Sequence, residues 1–187
     1  RQELLRQVGV DFEVLAVEVR EDARPQELPA DYVRRLACEK ARVGMDELAH
    51  RRLAVRPVVG ADTCVTVDGE ILGKRRDRAD GLAMLRRLAG RSHQVLTGVC
   101  VVAGAARDQT VEHSAVNVST VTFGPLSEQE IAAYWASGEP ADKAGGYAIQ
   151  GAFAAHVLAI AGSYSNVVGL PLHETAALLK GAGHRAR

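Results

Sequence analysis

Apolar residues recur along this chain with two periods, three to four residues in some stretches and two in others, which predicts helices interspersed with hairpins. Leu4, Leu5 and Val8 fall at helical spacing over 1–8, and Gly9 is a natural stop. The next stretch, DFEVLAVEV over 11–19, alternates as a half-buried strand does, with Phe12, Val14, Ala16 and Glu18 on one face. Pro29 and Asp31 open a helix expected to run to about Gly44, with Val33, Leu36, Ala37, Lys40 and Ala41 as its inward stripe. A lysine therefore interrupts an apolar face.

Strands over 58–67 and 70–73 flank Asp68-Gly69, a dipeptide favoured in two-residue hairpin turns of type I′. A helix over 77–89 turns Leu82, Leu85, Leu88 and Ala89 inward and Arg78, Arg86 and Arg87 outward. Two long alternating segments, 93–102 and 110–123, read as a second hairpin, and Ser127 with Glu130 forms a capping box for a helix over 128–136. A glycine-rich stretch over 138–151, an apolar strand over 153–160, a turn over 162–169 and a final helix over 171–180 complete the chain. With no internal repeat or linker, the pattern predicts a single α/β unit, 1–187, built on a mixed sheet with interspersed helices.

The 187 residues, 47% of them hydrophobic, suffice for one sizeable core. Basic and acidic side chains number 23 each, so no global field favours nucleic acid or an anionic membrane, and any anion recognition must be local. Cys38, Cys64 and Cys100 are far apart and lie in apolar runs, which fits buried free thiols, and no CxxC or HxxxH spacing points to zinc. No apolar run approaches the roughly 20 residues that span a bilayer, and RQELLRQ carries no signal-peptide core, so a cytoplasmic location is expected.

Chemistry concentrates at a few irregular positions. Asp62 sits in an apolar run, VVGADTCVTV, where a charge costs several kcal/mol unless it is paired. It is either a turn or capping aspartate or a working carboxylate. In the ideal hairpin register Thr63 opposes Lys74, and a bulge at Gly73 would instead bring Asp62 and Lys74 together. Lys40 either snorkels from the edge of its stripe or aims its ammonium at a phosphate in a cleft. DKAGGYAIQG, 142–151, offers close backbone approach at its glycines, charge at Lys143, and at Gln150 an amide that both donates and accepts; the alternative is a simple turn. Glu21 is either a solvated surface acid or a ligand for a hard metal ion. The histidines at 93, 113, 156 and 173 have no partner spacing, and Ser163 and Ser165 read as turn and capping residues.

Together these stretches resemble the Maf proteins, a family of nucleoside triphosphate pyrophosphatases. The matching segments are RQELL at 1–5, Glu21, EKA at 39–41, GADT at 60–63, LGK at 72–74, SHQVLTGV at 92–99, DKAGGYAIQG at 142–151 and GSYSNVVGLPL at 162–172. The family's opening strand and SxSPR loop would precede this RQELL, with Arg1 as the last residue of that loop, and Arg75 stands where proline usually follows the LGK lysine. The resemblance implies a fold of two lobes around a cleft, similar to the inosine triphosphate pyrophosphatases. It further implies hydrolysis between the α and β phosphates with Mg2+ or Mn2+, and a homodimer. GADT and IQG are similar to the branch acting on dTTP and UTP rather than on 7-methyl-GTP. By this comparison Asp62 is the general base, Glu21 and Asp62 hold the metal, Lys40, Lys74 and Lys143 bind phosphate, and Arg1, Thr63 and Gln150 select the nucleotide. A nucleotide-binding regulator of septum formation without catalysis is the alternative from another class.

Overall fold

The hairpin at Asp68-Gly69 forms as read in a computed structural model, which describes residues 1–73, 77–104, 109–139 and 143–184. Asp68 and Gly69 have φ of 55° and 80°, both left-handed as a type I′ turn requires. Strands β1 (Val58–Val67) and β2 (Glu70–Leu72) pair from Val67↔Glu70 through Val65↔Leu72 without a slip. Lys74 lies outside the described residues, as does the pairing that a bulge at Gly73 would give it.

Three more strands, β3 (Ser92–Gly104), β4 (Thr110–Phe123) and β5 (Val157–Ala161), extend the sheet in the order β2-β1-β3-β4-β5. All four ladders between the described strands are antiparallel. The helices are α1 (Gln2–Gln7), α2 (Pro29–His50), α3 (Arg78–Leu88), α4 (Glu128–Ala136), α5 (Tyr164–Val168) and α6 (Leu172–Gly181). Ser127 caps α4 in the expected capping box with Glu130, and Asp77 caps α3 through Asp80 N. The expected α/β architecture, a sheet with flanking helices, is present.

Strand periodicity divides the core in two. Even-numbered residues of β1 and β3 face α2: Val33 packs on Cys64 and Leu96, while Ala37, Cys38, Ala41 and Met45 pack with Cys100 and Val102. Odd-numbered residues face the other helices. Val65, Val67 and Val95 join Leu82, Leu85, Leu88, Ile131 and Phe153, while Ala61 and Val99 meet Leu4 and Leu170. Helix α2 lies tight against the sheet because Gly60 and Gly98 sit beneath it. A Cβ there would fall 2.2 Å from the Ala37 carbonyl oxygen and 2.3 Å from that of Val33.

Several expectations change: the described ladders make the sheet antiparallel rather than mixed, the strand expected over 153–160 begins only at Val157 after a 3-10 turn, and the turn expected over 162–169 holds the short helix α5. Helix α2 does not stop at Gly44 but continues to His50. Gly44 is a packing position, where a Cβ would lie 2.8 Å from Val58 Cγ1. The 11–19 segment alternates in burial but joins no ladder among the described residues, and its half-buried positions include Leu15, Val17 and Val19 rather than Val14, which is 64% exposed.

Candidate active site

Asp62 and Thr63 are successive residues of a strand, so their side chains leave β1 on opposite faces. Asp62 points to the α2 side and Thr63 to the side of α5 and α6. Among the described residues β1 is paired with β2 only from Val65 onward, and at this open edge one cleft of about 810 Å³ is lined by both. Of the eight residues singled out by sequence, seven line it: Arg1, Glu21, Lys40, Asp62, Thr63, Lys143 and Gln150. The eighth, Lys74, falls outside the described residues, although its neighbour Gly73 lines the cleft.

On the α2 face, Lys40 Nζ donates to Asp62 Oδ1 at 2.6 Å and to Glu21 Oε1 at 2.7 Å. One ammonium thus bridges two carboxylates, and all three side chains are largely withdrawn from water, with side-chain exposures of 18%, 11% and 28% for Lys40, Asp62 and Glu21. The pairing offsets the desolvation that isolated charges would suffer here. Lys40 lines the cleft with its ammonium paired to both carboxylates.

Glu21 lies on a segment without regular structure, and α2 clamps that segment. Tyr32 Oη donates to the Glu21 carbonyl at 2.9 Å, and Arg35 forks onto Glu27 through Nε and Nη2 at 2.5 and 2.7 Å. Arg35 Nη2 also donates to the Asp22 carbonyl at 3.2 Å. The Arg35 hydrogen bond holds the Glu27 carboxyl down to about 2. Burial first, and then the charges of Asp62 and Glu21, push the Tyr32 phenol up to about 12, so it remains a donor. Sequence reasoning missed Tyr32 and Arg35, although Tyr32 stands eight residues before Lys40, about two turns along the same helix.

On the opposite face a directed hydrogen-bond chain supports Arg1. Its guanidinium donates through Nε to the Gly169 carbonyl at 2.8 Å and through Nη2 to Thr63 Oγ1 at 3.1 Å. Thr97 Oγ1 lies 2.9 Å from Thr63 Oγ1 and donates to the Asn166 carbonyl at 3.0 Å, so the Thr63 proton goes to Thr97. Arg1 is exposed as a residue, yet its guanidinium is crowded by the cleft wall. Desolvation lowers its pKa, while Asp62 and Glu21 act in the other direction.

The third wall is the loop carrying Lys143 and Gln150. Gly145 and Gly146 adopt φ of 69° and 75°, and the loop is tied from behind. Tyr147 Oη meets His93 Nε2 at 2.8 Å, the Ala148 amide donates to Tyr134 Oη at 3.0 Å, and the Ala152 amide donates to Glu139 Oε2 at 2.9 Å. His93 is thus structural, buried against Phe123 and Tyr147. Ser163 caps α5 by accepting from the Asn166 amide, as its turn reading anticipated.

Among the described residues the charged side chains lining the cleft are three cations, Arg1, Lys40 and Lys143, and two anions, Glu21 and Asp62. Cations and carboxylates converging in this way suit a polyanion accompanied by a metal cation. The cleft thus joins paired carboxylates, convergent cations and a tethered glycine-rich loop within one α/β fold. The chain belongs to the Maf family: the family model described as Maf-like protein matches residues 1–182.

Similar curated proteins include the dTTP/UTP pyrophosphatase of Anaeromyxobacter sp. (strain Fw109-5), 50% identical over 98% of this chain and 85% of that protein. That of Symbiobacterium thermophilum is 50% identical over 98% of this chain and 90% of its own length. That of Ralstonia nicotianae is 51% identical, over 96% and 87% respectively. Among the described residues no helix is long and apolar enough to cross a membrane.

Proposed function

We propose that this chain hydrolyses dTTP and UTP between the α and β phosphates, giving the monophosphate and pyrophosphate. The observation that carries the reading is the convergence of Asp62, Glu21 and Lys40 on one cleft with Lys143 and Gln150. The names of the similar curated proteins supply the substrate pair. Phosphoryl substitution asks the protein for charge neutralisation and an oriented water more than for covalent chemistry. Asp62 takes the proton of the attacking water or orients it, and Lys40, beside it, is available to a phosphate oxygen. Lys143 and Arg1 add positive charge at the cleft walls, and Gln150 reads a pyrimidine edge through its amide.

Glu21 and Asp62 fit a hard divalent metal, because their carboxylate oxygens already converge on one cation, the Lys40 ammonium. Mg2+ or Mn2+ bound there would neutralise phosphate charge and acidify a water. The family reading also carries a homodimer in the cytoplasm.

The test is pyrophosphate release from a panel of dTTP, UTP, CTP, GTP and 7-methyl-GTP, each with Mg2+ and with Mn2+. Turnover of dTTP and UTP above the rest is expected. Binding of these nucleotides without release would overturn the proposal.

A further inference from the structure

Helix α2 and strands β3 and β4 bring together three metal-ligating side chains far apart in sequence and separate from the Glu21–Asp62 pair. The Cys38 and Cys100 sulfurs and a Glu112 carboxylate oxygen all lie within 4.8 Å of one another. The arrangement follows from the sheet register. Cys100 pairs with Ser114 and Val102 with Glu112, so Cys100, Ser114 and Glu112 share the face that α2 covers. Cys38 stands on α2 directly above them and contacts both Cys100 and Glu112. Local spacing could not disclose this cluster, since each ligand comes from a different element.

We propose that Cys38, Cys100 and Glu112 form a second metal site, one for a thiophilic d10 cation such as Zn2+, with water in the fourth position. Two thiolates and one carboxylate match zinc's donor preferences, and tetrahedral bond lengths of about 2.0–2.3 Å put neighbouring ligand atoms roughly 3.5–3.8 Å apart. The observed spread, at most 4.8 Å, therefore needs to close by no more than about 1.3 Å to meet that spacing. The thiols are buried, Cys38 at 6% and Cys100 at 0% exposure, while the Glu112 side chain at 30% gives an ion its way in.

Arg42 completes the outer layer. Its Nε and Nη2 hold the two Glu112 oxygens at 2.6 and 2.7 Å, fixing the carboxylate while each oxygen keeps a lone pair for the ion. The cation, two thiolates, carboxylate and guanidinium are together neutral, which suits a site beneath a helix. The thiols are already unequal: the hydrogen bond with Cys100 lowers the Cys38 pKa, and the same bond together with burial raises that of Cys100. Binding forms two S–Zn bonds and releases two thiol protons to solvent, with no change of oxidation state. Since Cys38 precedes Lys40 by two residues, an ion here pins the helix that positions the cleft lysine.

The test uses the whole chain, reduced with a phosphine and stripped with a chelator, then titrated with Co2+ and Zn2+. One equivalent of Co2+ is expected to raise a thiolate-to-cobalt charge-transfer band, which Zn2+ then bleaches. Cys38→Ser and Cys100→Ser should each abolish the band, and the paired variant Glu21→Gln with Asp62→Asn should keep it. Glu112→Gln, at a partly exposed position and checked for folding by circular dichroism, should weaken zinc binding at least about tenfold. The proposal is overturned if the wild-type chain shows no band, if the band survives both cysteine substitutions, or if Glu112→Gln binds zinc as wild type does.

Discussion

Lys40 Nζ lies 2.6 Å from Asp62 Oδ1, and this pair joins helix α2 to β1. The contact depends on Gly60 and Gly98, which let the helix settle onto the strands. Replacing Asp62 by Asn keeps the volume and a hydrogen-bond acceptor for Lys40, so the fold should survive. Turnover should be nearly lost, because an amide neither takes a proton from water nor binds a metal as a carboxylate does. Steady-state kinetics with dTTP decide the matter: a residual rate above about a tenth of wild type, a deficit of only roughly 1.4 kcal/mol, would rule out Asp62 as the base.

Lys40→Met removes the ammonium that bridges Asp62 and Glu21 while keeping the apolar stem. Two largely withdrawn carboxylates then lose that bridge. The expected loss is about 1–3 kcal/mol, below the roughly 3–5 of a fully buried pair, because water still reaches these groups. In urea unfolding, adding Asp62→Asn should recover part of that loss, since the second change removes a charge the first left unpaired. Strict additivity would mean that the contact carries no coupling.

Gln150 lines the cleft on the tethered loop. A uracil or thymine edge offers one N–H donor flanked by carbonyl acceptors, which an amide can match with both its groups. An ionised glutamate only accepts. Gln150→Glu should therefore cut kcat/KM for dTTP and UTP more than for 7-methyl-GTP, whose edge offers adjacent N–H donors. An equal loss on every nucleotide would remove Gln150 from base reading.

Thr97 does not itself line the cleft, yet it is fully buried and links Thr63 to the Asn166 carbonyl in the chain Arg1–Thr63–Thr97–Asn166. Thr97→Val removes the acceptor of the Thr63 proton and leaves the Asn166 carbonyl with the Gly169 amide as its donor, at a cost of about 1–3 kcal/mol. Because Thr63 then loses its orientation toward Arg1, KM for dTTP should rise more than kcat falls. Thr97→Ser should restore KM; a variant with altered stability and unaltered KM would confine Thr97 to the core.

How much of this was legible in the sequence depends on the range of the interactions. The Asp68-Gly69 turn and the Ser127–Glu130 capping box were, because their determinants lie within four residues. Gly44 was misread as a helix stop because its purpose, contact with Val58, lies on another element. Alternation over 11–19 reports one-sided burial and says nothing about a ladder partner, so the strand expectation failed while the periodicity held at Leu15, Val17 and Val19. The site residues emerged mainly through the family resemblance. The residues that hold them were invisible, since Tyr32, Arg35, Thr97 and His93 act through partners that only the folded chain supplies.

His93 gives the protein a pH dependence that can be separated from the cleft. Burial beneath the loop lowers its pKa to about 4, against about 6.5 in an unfolded chain. Between these values the unfolded state binds a proton that the folded state refuses, so stability is fully present above about pH 6.5 and declines as pH falls toward 4. At mid-window this one group contributes a slope approaching 1.4 kcal/mol per pH unit. His93→Gln keeps a hydrogen-bonding group for Tyr147 Oη but cannot titrate, so it should lower stability at neutral pH while flattening the decline between pH 6.5 and 4. Urea unfolding of both proteins across that range measures the difference, and parallel curves would mean that His93 is not the group being protonated.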